Sequence, residues 1–394
     1  MSMRHPLCSL VVFFSLSLIS SVAFGNDAEY GSYSGMPVPI ENDSIRMVSE
    51  NIIFTDTAKG GWRVDATYVF ENTTKEKVNL KMGYPETEGD NSGVYFKGLE
   101  TWVDGKKVKI TTKTSGQMKE PWKGYRLGKV HLFDVAIEPS QKQEVKHTFE
   151  MAGGGSVALA CEQEISYITR TGRLWKGPIG NARFEVSLLG AFDAYTISKG
   201  YDVKSIKHEV VRKGERSRTN IVFEMKDWMP EEDFRFVMMS ECGEEGGMDK
   251  FYTGVSCPYW AASELVDARV KTLATKSKLS DEEKKKRQEA ESSFLKSYSK
   301  SDLRLCRNYV YARYGYPFKS KDLREKFYGR EPGAKHIYPP HYCMKEKGKE
   351  MMEFCRQERL IFFAEDKSFS PNLMTPYELM YVKMLLEEEK RRKK

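Results

Sequence analysis

Short segments in which apolar and polar residues alternate fill the first two thirds of the chain. Residues 62–70 read Trp-Arg-Val-Asp-Ala-Thr-Tyr-Val-Phe, so every second side chain is apolar. This period predicts a strand with one buried face. The Asp104-Gly105 step between two such segments is typical of a hairpin turn. Strands are predicted at residues 45–54, 62–70, 78–84, 94–103, 107–112, 125–137, 143–151, 156–169, 182–189, 219–225 and 234–239.

Strands this frequent, with few helical stretches between them, predict an all-β, sandwich-like region over residues 26–255. The pattern fits one large sandwich or two small ones equally well. Near residue 260 the pattern changes to helical spacing. We therefore expect a multidomain chain, an all-β N-terminal sandwich-like region followed by a small α-helical C-terminal domain.

A charged segment joins the two regions. Ser280 and Glu283 have the spacing of a capping box, and Glu and Lys residues follow at i,i+4 spacing. Residues 256–300 are therefore interpreted as a charged helical linker. Charge runs of this kind usually form a solvated helix face, so no function is assigned to it.

Helical periodicity is clearest near residue 310. One helical face would carry the apolar or aromatic side chains of Leu303, Cys306, Val310, Tyr311 and Tyr314. Gly315 suits a left-handed residue just past the helix end, and Pro317 blocks continuation. A second short helix is expected from Ser320 to Phe327. A last helix is predicted after the capping box of Thr375 and Glu378, with a buried stripe of Tyr377, Met380, Tyr381, Met384 and Leu385.

The N-terminus has the pattern of a secretory signal. Arg4 and His5 precede the apolar residues 7–24, which end at the small-residue site Ala23-Phe24-Gly25. We expect cleavage after Gly25, with retention as a membrane anchor as the alternative. Cleavage would give an exported protein, periplasmic or extracellular, that is not integral to a membrane.

Six cysteines remain after such cleavage, an even number that in an exported chain favours up to three disulfides. Both Cys161 and Cys242 fall in the strand-rich region and are the favoured pair; the partners of the other four stay open. The candidates are Cys161, Cys242, Cys257, Cys306, Cys343 and Cys355.

The segment Tyr311-Ala312-Arg313-Tyr314-Gly315 resembles the signature of the YARHG domain, a small extracytoplasmic module. The resemblance covers residues 301–386, with an insertion at 340–372. A basic tail follows at residues 387–394. Tyr314 stands where the motif has His, which puts any role of an imidazole there in doubt. The resemblance implies an exported domain that binds a component of the cell envelope, without a known activity.

Residues 167–184, with the pattern Thr-Gly-x-x-Trp-x-Gly-x-Ile, resemble a family of bacterial exported domains of unknown function. Residues 42–54 and Phe70-Glu71-Asn72 resemble the start of the same family, so the likeness extends over about 36–240. Gly177 and Gly180 around Pro178 predict a tight turn. Trp175 is interpreted as a packed anchor rather than a platform for a ligand.

The charge is divided unevenly along the chain. The net charge is +7, but residues 261–394 hold 31 basic and 21 acidic residues (+10), whereas residues 1–260 hold 32 and 35 (−3). Arginines and aromatic residues interleave around the YARHG-like motif, as in sites for anionic polymers or glycans. The alternative is that the rings form the core and the arginines bond helix ends. The candidate ligand-binding residues are Arg307, Tyr311, Arg313, Tyr314, Tyr316 and Arg324.

Motifs for catalysis are missing from the sequence: it has no Gly-x-Ser-x-Gly, no P-loop and no His-Glu-x-x-His. His336, His341 and Cys343 have only a weak likeness to zinc-ligand spacing. No catalytic residue, metal or cofactor is predicted.

These patterns favour an exported, non-enzymatic protein whose basic, aromatic helical module contacts an anionic or glycan ligand of the cell envelope. Its partner would be an envelope polymer, an anionic lipid or an envelope protein, and not a nucleic acid. The alternatives are a carboxylate-dependent hydrolase of envelope material and a structural envelope protein that acts through protein partners.

Overall fold

The alternating residues around Tyr68 form one long strand, Gly61–Asn72, with a buried face. In the computed structural model, every second side chain from Trp62 to Phe70 is buried, and those between are half-buried or exposed. The predicted period of two is thereby confirmed. The structure describes residues 23–25, 28–33, 36–57, 61–87, 96–114, 127–153, 161–190, 194–209, 217–240, 257–258, 262–275, 278–328, 359–362 and 369–392.

The strands of these ranges form two sheets. In chain order they are β1 (Ala23–Gly25), β2 (Ala28–Tyr33), β3 (Met36–Ile40), β4 (Ile45–Asp56), β5 (Gly61–Asn72), β6 (Val78–Thr87), β7 (Phe96–Val103), β8 (Lys106–Lys107), β9 (Thr111–Thr114), β10 (Leu127–Ile137), β11 (Lys142–Ala152), β12 (Cys161–Ile168), β13 (Ile179–Leu189), β14 (Ala194–Ile197), β15 (Val203–Glu209), β16 (Arg218–Trp228), β17 (Phe234–Ser240) and β18 (Arg359–Phe362). The first sheet has the order β18-β14-β17-β12-β1-β6-β10-β9, with β2 on β6 and β3 on β2. The second has the order β15-β16-β13-β4-β5-β11-β7-β8.

A single core lies between the two sheets. The ring of Phe54 from the second sheet stacks on Phe234 of the first, with centroids 5.4 Å apart. The hydroxyls of Tyr68 and Tyr167, one from each sheet, share a hydrogen bond of 2.5 Å. Because one continuous cluster of buried residues joins both sheets, the β region is one large sandwich. The fold class is therefore confirmed.

The predicted cleavage site lies within a strand. Residues Ala23–Gly25 pair in parallel with Ser166–Ile168 of β12, and Phe24 pairs with Glu86 of β6. Cleavage after Gly25 would remove β1 and free backbone groups on β12. The cleavage itself stays a prediction.

The turn around Trp175 closes the sandwich core. Trp175 is only 3% exposed and its ring centroid lies 4.8 Å from that of Phe70, which fits a packed anchor. Gly177 has φ +69°, a left-handed conformation that favours glycine. Gly180 lies so close to β4 that an added Cβ would be 2.5 Å from the carbonyl oxygen of Val48.

The helical region contains α1 (Ser263–Ala274), α2 (Asp281–Phe294), α3 (Lys300–Arg313), α4 (Lys321–Tyr328) and α5 (Pro376–Arg391). The predicted capping boxes at Ser280 and Thr375 are present. Gly315 has φ +74° just past the end of α3, as expected. Local capping signals therefore set these helix ends.

The helices share a second core, separate from that of the sandwich. The predicted faces of α3 and α5 meet there, with Leu303, Val310, Tyr381 and Leu385 all buried. Val266 of α1 belongs to the same core, so residues assigned to the charged linker pack as part of the helical region.

A disulfide joins Cys257, just before α1, to Cys306 in the middle of α3. The sequence left both partners open. Because Cys242, Cys343 and Cys355 lie outside the described residues, the pairing of Cys161 with Cys242 stays a prediction.

The helical region contacts the sandwich at two described places. Strand β18, which follows α4 in the chain, pairs with β14 at the edge of the first sheet. The ring of Tyr314 lies edge-on to His208 of β15, with centroids 5.7 Å apart. Backbone pairing and ring packing thus join the two regions.

The disulfide leads to a prediction for the variant C257S/C306S. The bridge closes a loop across a sequence separation of 49 residues. Because it restricts the unfolded chain, it stabilises the folded state by about 2 to 4 kcal/mol. We expect the free energy of unfolding to fall by this amount in urea titrations followed by the helical circular dichroism signal. An unchanged unfolding midpoint would contradict a bridge between these two cysteines.

The two glycines after Trp175 form a matched pair. Gly177→Ala should cost about 1 to 2 kcal/mol because alanine disfavours the left-handed conformation. Gly180→Ala should cost about 3 kcal/mol, since its Cβ would force β13 away from β4. Urea unfolding of the sandwich measures both costs, and equal values would mean that close strand approach is not the stronger constraint.

Candidate functional site

The six candidate residues lie on α3, α4 and the turn between them. Arg307 uses its guanidinium inside the helical region: Nε donates to Glu389 Oε1 over 2.7 Å and Nη2 donates to Oε2 over 3.3 Å. Both side chains are largely shielded from solvent. This two-bond geometry fixes α3 against α5.

Arg313 and Tyr314 converge on one buried carboxylate. The hydroxyl of Tyr314 donates to Glu378 Oε2 over 2.8 Å, and Arg313 Nη1 lies 3.7 Å from Glu378 Oε1. Tyr314 is only 1% exposed. Arg313 also lies over the ring of Tyr309, 6.0 Å from its centroid. The tyrosine at the motif's histidine position is thus a hydrogen-bond donor within the core.

Tyr311 and Tyr316, both half-buried, form an aromatic cluster with Phe318 and Phe369. Tyr316 lies 5.3 Å from Tyr311 and 5.0 Å from each of the two phenylalanines, between ring centroids. Burial raises the pKa of Tyr311 above its ordinary value, so this phenol is neutral at neutral pH. Each ring supports its neighbours, and the tyrosines keep part of their surface in solvent.

Arg324 is exposed on α4. On the same helix, Asp322 accepts hydrogen bonds from Arg304, which hold the pKa of Asp322 well below its ordinary value. The structure therefore divides the six candidates. Arg307, Arg313 and Tyr314 are tied to carboxylates of α5, Tyr311 and Tyr316 are half-buried, and Arg324 is exposed.

A basic cleft lies on other elements, where α1, α2 and α5 meet. Its volume is about 550 Å³, and its lining is Arg269, Thr272, Leu273, Lys278, Leu279, Lys284, Arg287, Met380 and Lys383. Five of these nine residues are cations, and none of the described residues that line it is acidic. We refer to these nine residues as the basic cleft.

Ion pairs hold the wall of the basic cleft. Arg269 donates through Nε and Nη2 to the two carboxylate oxygens of Glu291, over 2.6 Å each, and through Nη2 to Glu387 over 2.8 Å. Burial alone would lower the pKa of Arg269, but these hydrogen bonds outweigh it and raise that pKa. Arg287 lies 3.6 Å from the same Glu291, and Lys284 pairs with Asp281. Three of the five cations therefore have carboxylate partners.

Lys278 and Lys383 are the other two cations. Both are exposed, and neither makes an ion pair within the part of the chain that the structure describes. Beside them, Leu273 is 56% exposed, while Leu279 and Met380 are half-buried. The basic cleft thus combines two available ammonium groups with an apolar wall.

The sequence interpretation missed this cleft because it treated the charged helix as a solvated face. Lys278 lies just before the capping box of α2, and Lys383 lies on α5 outside its predicted buried stripe. These two lysines lie more than a hundred positions apart, so no local pattern joins them.

Across the described ranges, no three His, Cys, Asp or Glu side chains are placed to hold a metal ion. His336, His341 and Cys343 lie outside those ranges. No residue is identified that would hold a cofactor.

The hydrogen bond of Tyr314 gives a matched pair of Tyr→Phe variants. Tyr314→Phe removes a donor from the buried Glu378, and a bond to a charged group contributes about 1.5 to 3 kcal/mol. We expect that loss in urea titrations followed by the helical signal. Tyr316→Phe, in the same turn but half-exposed, should change the unfolding free energy by less than about 0.5 kcal/mol. Equal losses would show that the Tyr314 hydroxyl does not stabilise α5.

Solved structures that resemble this chain include three distant ones. A proposed nutrient binding protein from Legionella pneumophila is 16% identical, with 93% of this chain and 98% of that chain covered and a TM-score of 0.42. An M1 zinc metallopeptidase from Deinococcus radiodurans is 11% identical (51% and 43% covered, TM-score 0.28). A proposed protease from Parabacteroides distasonis is 8% identical (88% and 59% covered, TM-score 0.29). At these scores none carries a functional argument.

Family models match both regions of the chain, while no curated protein sequence matches it. The first match, to a domain of unknown function called DUF4424, covers residues 25–147 and includes the early stretch 42–54 but not the signature at 167–184. The second begins within α1, so it starts before residue 301, and it ends before α5. The helical region therefore carries a YARHG domain match over residues 272–357, and both resemblances found in the sequence are confirmed.

Proposed function

We propose that this protein is an exported, non-enzymatic binding protein whose helical region holds an anionic ligand of the cell envelope in the basic cleft. The observation that carries the proposal is the charge of the lining. Five cations and no described acidic residue line the cleft, and Lys278 and Lys383 make no described ion pair. An anion would give these two ammonium groups the partner that the fold does not provide.

Export is supported by three observations. The Cys257–Cys306 disulfide is typical of an oxidising compartment. The YARHG match agrees with an extracytoplasmic module, and the N-terminal residues have the pattern of a secretory signal. Among the helices of the described ranges, none is long and apolar enough to cross a membrane.

The hydrolase alternative gains no support from the helical region. Its described buried carboxylates each lie beside an arginine; they are Glu291, Glu378, Glu388 and Glu389. Each of these carboxylates is therefore engaged by a partner within the fold. A carboxylate pair for hydrolysis would have to lie elsewhere in the chain.

Charge reversal in the basic cleft tests the proposal. In the variant K278E/K383E, two attractive charges become repulsive, and each lysine near an anionic surface contributes about 1 kcal/mol. We expect at least about tenfold weaker binding to isolated sacculi or to vesicles with phosphatidylglycerol in phosphatidylcholine, measured by co-sedimentation at low salt.

The control is K296E/K300E, which changes the net charge equally at two exposed positions outside the cleft. It should keep most of the binding. Equal losses in the two variants would reveal a general charge effect and reject the cleft as the site. No co-sedimentation of the wild-type protein with either material would reject the envelope ligand.

A further inference from the structure

We infer that the ligand of the basic cleft is a single anionic amphiphile, with a phosphate or carboxylate head between Lys278 and Lys383 and an apolar chain along Leu273, Leu279 and Met380. This inference rests on the proposed function and narrows it from an anionic ligand to one chemical class. The carrying observation is that charged and apolar side chains line the same cleft.

The polar groups of the lining define the head of the ligand. Arginine and lysine side chains only donate hydrogen bonds, and Thr272 supplies a single hydroxyl. A ligand that meets such a lining must therefore offer acceptor oxygens and few donors of its own. Phosphate and carboxylate groups meet this demand, whereas a neutral sugar would leave many hydroxyl donors without acceptors.

The apolar groups define the rest of the ligand. No aromatic side chain lines the cleft among the described residues, so it lacks the ring faces on which sugars and bases stack. Leucine and methionine suit a flexible alkyl chain instead. Leu273, at 56%, is more exposed than the other large exposed hydrophobic residues of the described ranges, Ile40 at 38% and Met229 at 40%. A bound chain would remove this surface from water.

The size of the cleft favours one small molecule. Its volume of about 550 Å³ lies within the range of about 300 to 1,000 Å³ that is usual for small-molecule sites. A folded protein partner would need a much larger contact surface. We therefore expect the cleft to bind one amphiphile molecule. Its source in the envelope is a lipid.

Alkyl phosphates of two chain lengths test the inference. Ethyl phosphate and dodecyl phosphate carry the same head, and both are used below the concentration at which dodecyl phosphate forms micelles. Each methylene that enters the cleft should tighten binding about fourfold, so we expect dodecyl phosphate to bind at least about a hundredfold more tightly in calorimetric titrations of the full chain. The variant K278E/K383E should bind ethyl phosphate and dodecyl phosphate much more weakly than the wild-type protein does.

The apolar wall is tested by Leu273→Ser, with Met229→Ser as the matched control at an exposed position of the sandwich region. The first should reduce the affinity for dodecyl phosphate at least about fivefold and leave that for ethyl phosphate unchanged. The second should change neither.

The outcomes separate the two proposals. Equal affinity for the two phosphates, both lowered by K278E/K383E, would overturn the amphiphile and keep the anion site. Tight dodecyl phosphate binding that K278E/K383E leaves unchanged would overturn both. If neither phosphate binds and anionic vesicles do not bind either, the anion site and the amphiphile ligand are both overturned.

Discussion

The carboxylate of Glu378 is the group on which the arrangement of the helical region depends. It accepts hydrogen bonds from the backbone N–H and the hydroxyl of Thr375, which caps α5, and from the hydroxyl of Tyr314. One buried charge therefore starts the last helix and ties it to the end of α3. Because a helix is rigid along its length, fixing its first turn also places Met380 and Lys383 in the wall of the basic cleft. That cap and its partner act together with the shared core and with the ion pairs of Glu387 and Glu389, which hold the rest of α5 in place.

Ion pairing sorts the cations of the helical region into two groups. Arg269, Arg307 and Arg313 each meet a carboxylate of α2 or α5, and these buried pairs position helices because breaking one would strand a charge in the core. Lysines stay at the surface, where their ammonium groups remain hydrated. The basic composition of this part of the chain therefore overstates its capacity to bind anions. Only cations without a carboxylate partner among the described residues, such as Lys278 and Lys383, are available to a ligand.

Local signals predicted the parts of the fold that local physics decides. Period-two alternation located strands such as β5, and capping boxes with a glycine stop located helix ends, because each depends on residues a few positions apart. Weakly alternating or short strands were missed, because pairing with neighbours forms them; they are β1, β2, β3, β14, β15 and β18. The side-chain contacts of the candidate site were not predicted, because they also depend on residues far apart in the sequence. Tyr314 and Glu378 are 64 positions apart, and Arg307 and Glu389 are 82 apart, so the sequence could not show that the motif's side chains were already occupied.

The elements of the helical region that contact the sandwich are not the ones that line the basic cleft. The described contacts to the sandwich come from Tyr314 at the end of α3 and from β18, which extends the first sheet. The cleft is lined by residues of α1, α2 and α5, together with Lys278 and Leu279 before α2. Glu378 joins the two sets, since it bonds Tyr314 on one side and begins α5 on the other. A ligand in the cleft therefore need not part the helical region from the sandwich. Of the described groups, Tyr314 and Glu378 lie between the cleft wall and the sandwich contact, and one hydrogen bond joins them.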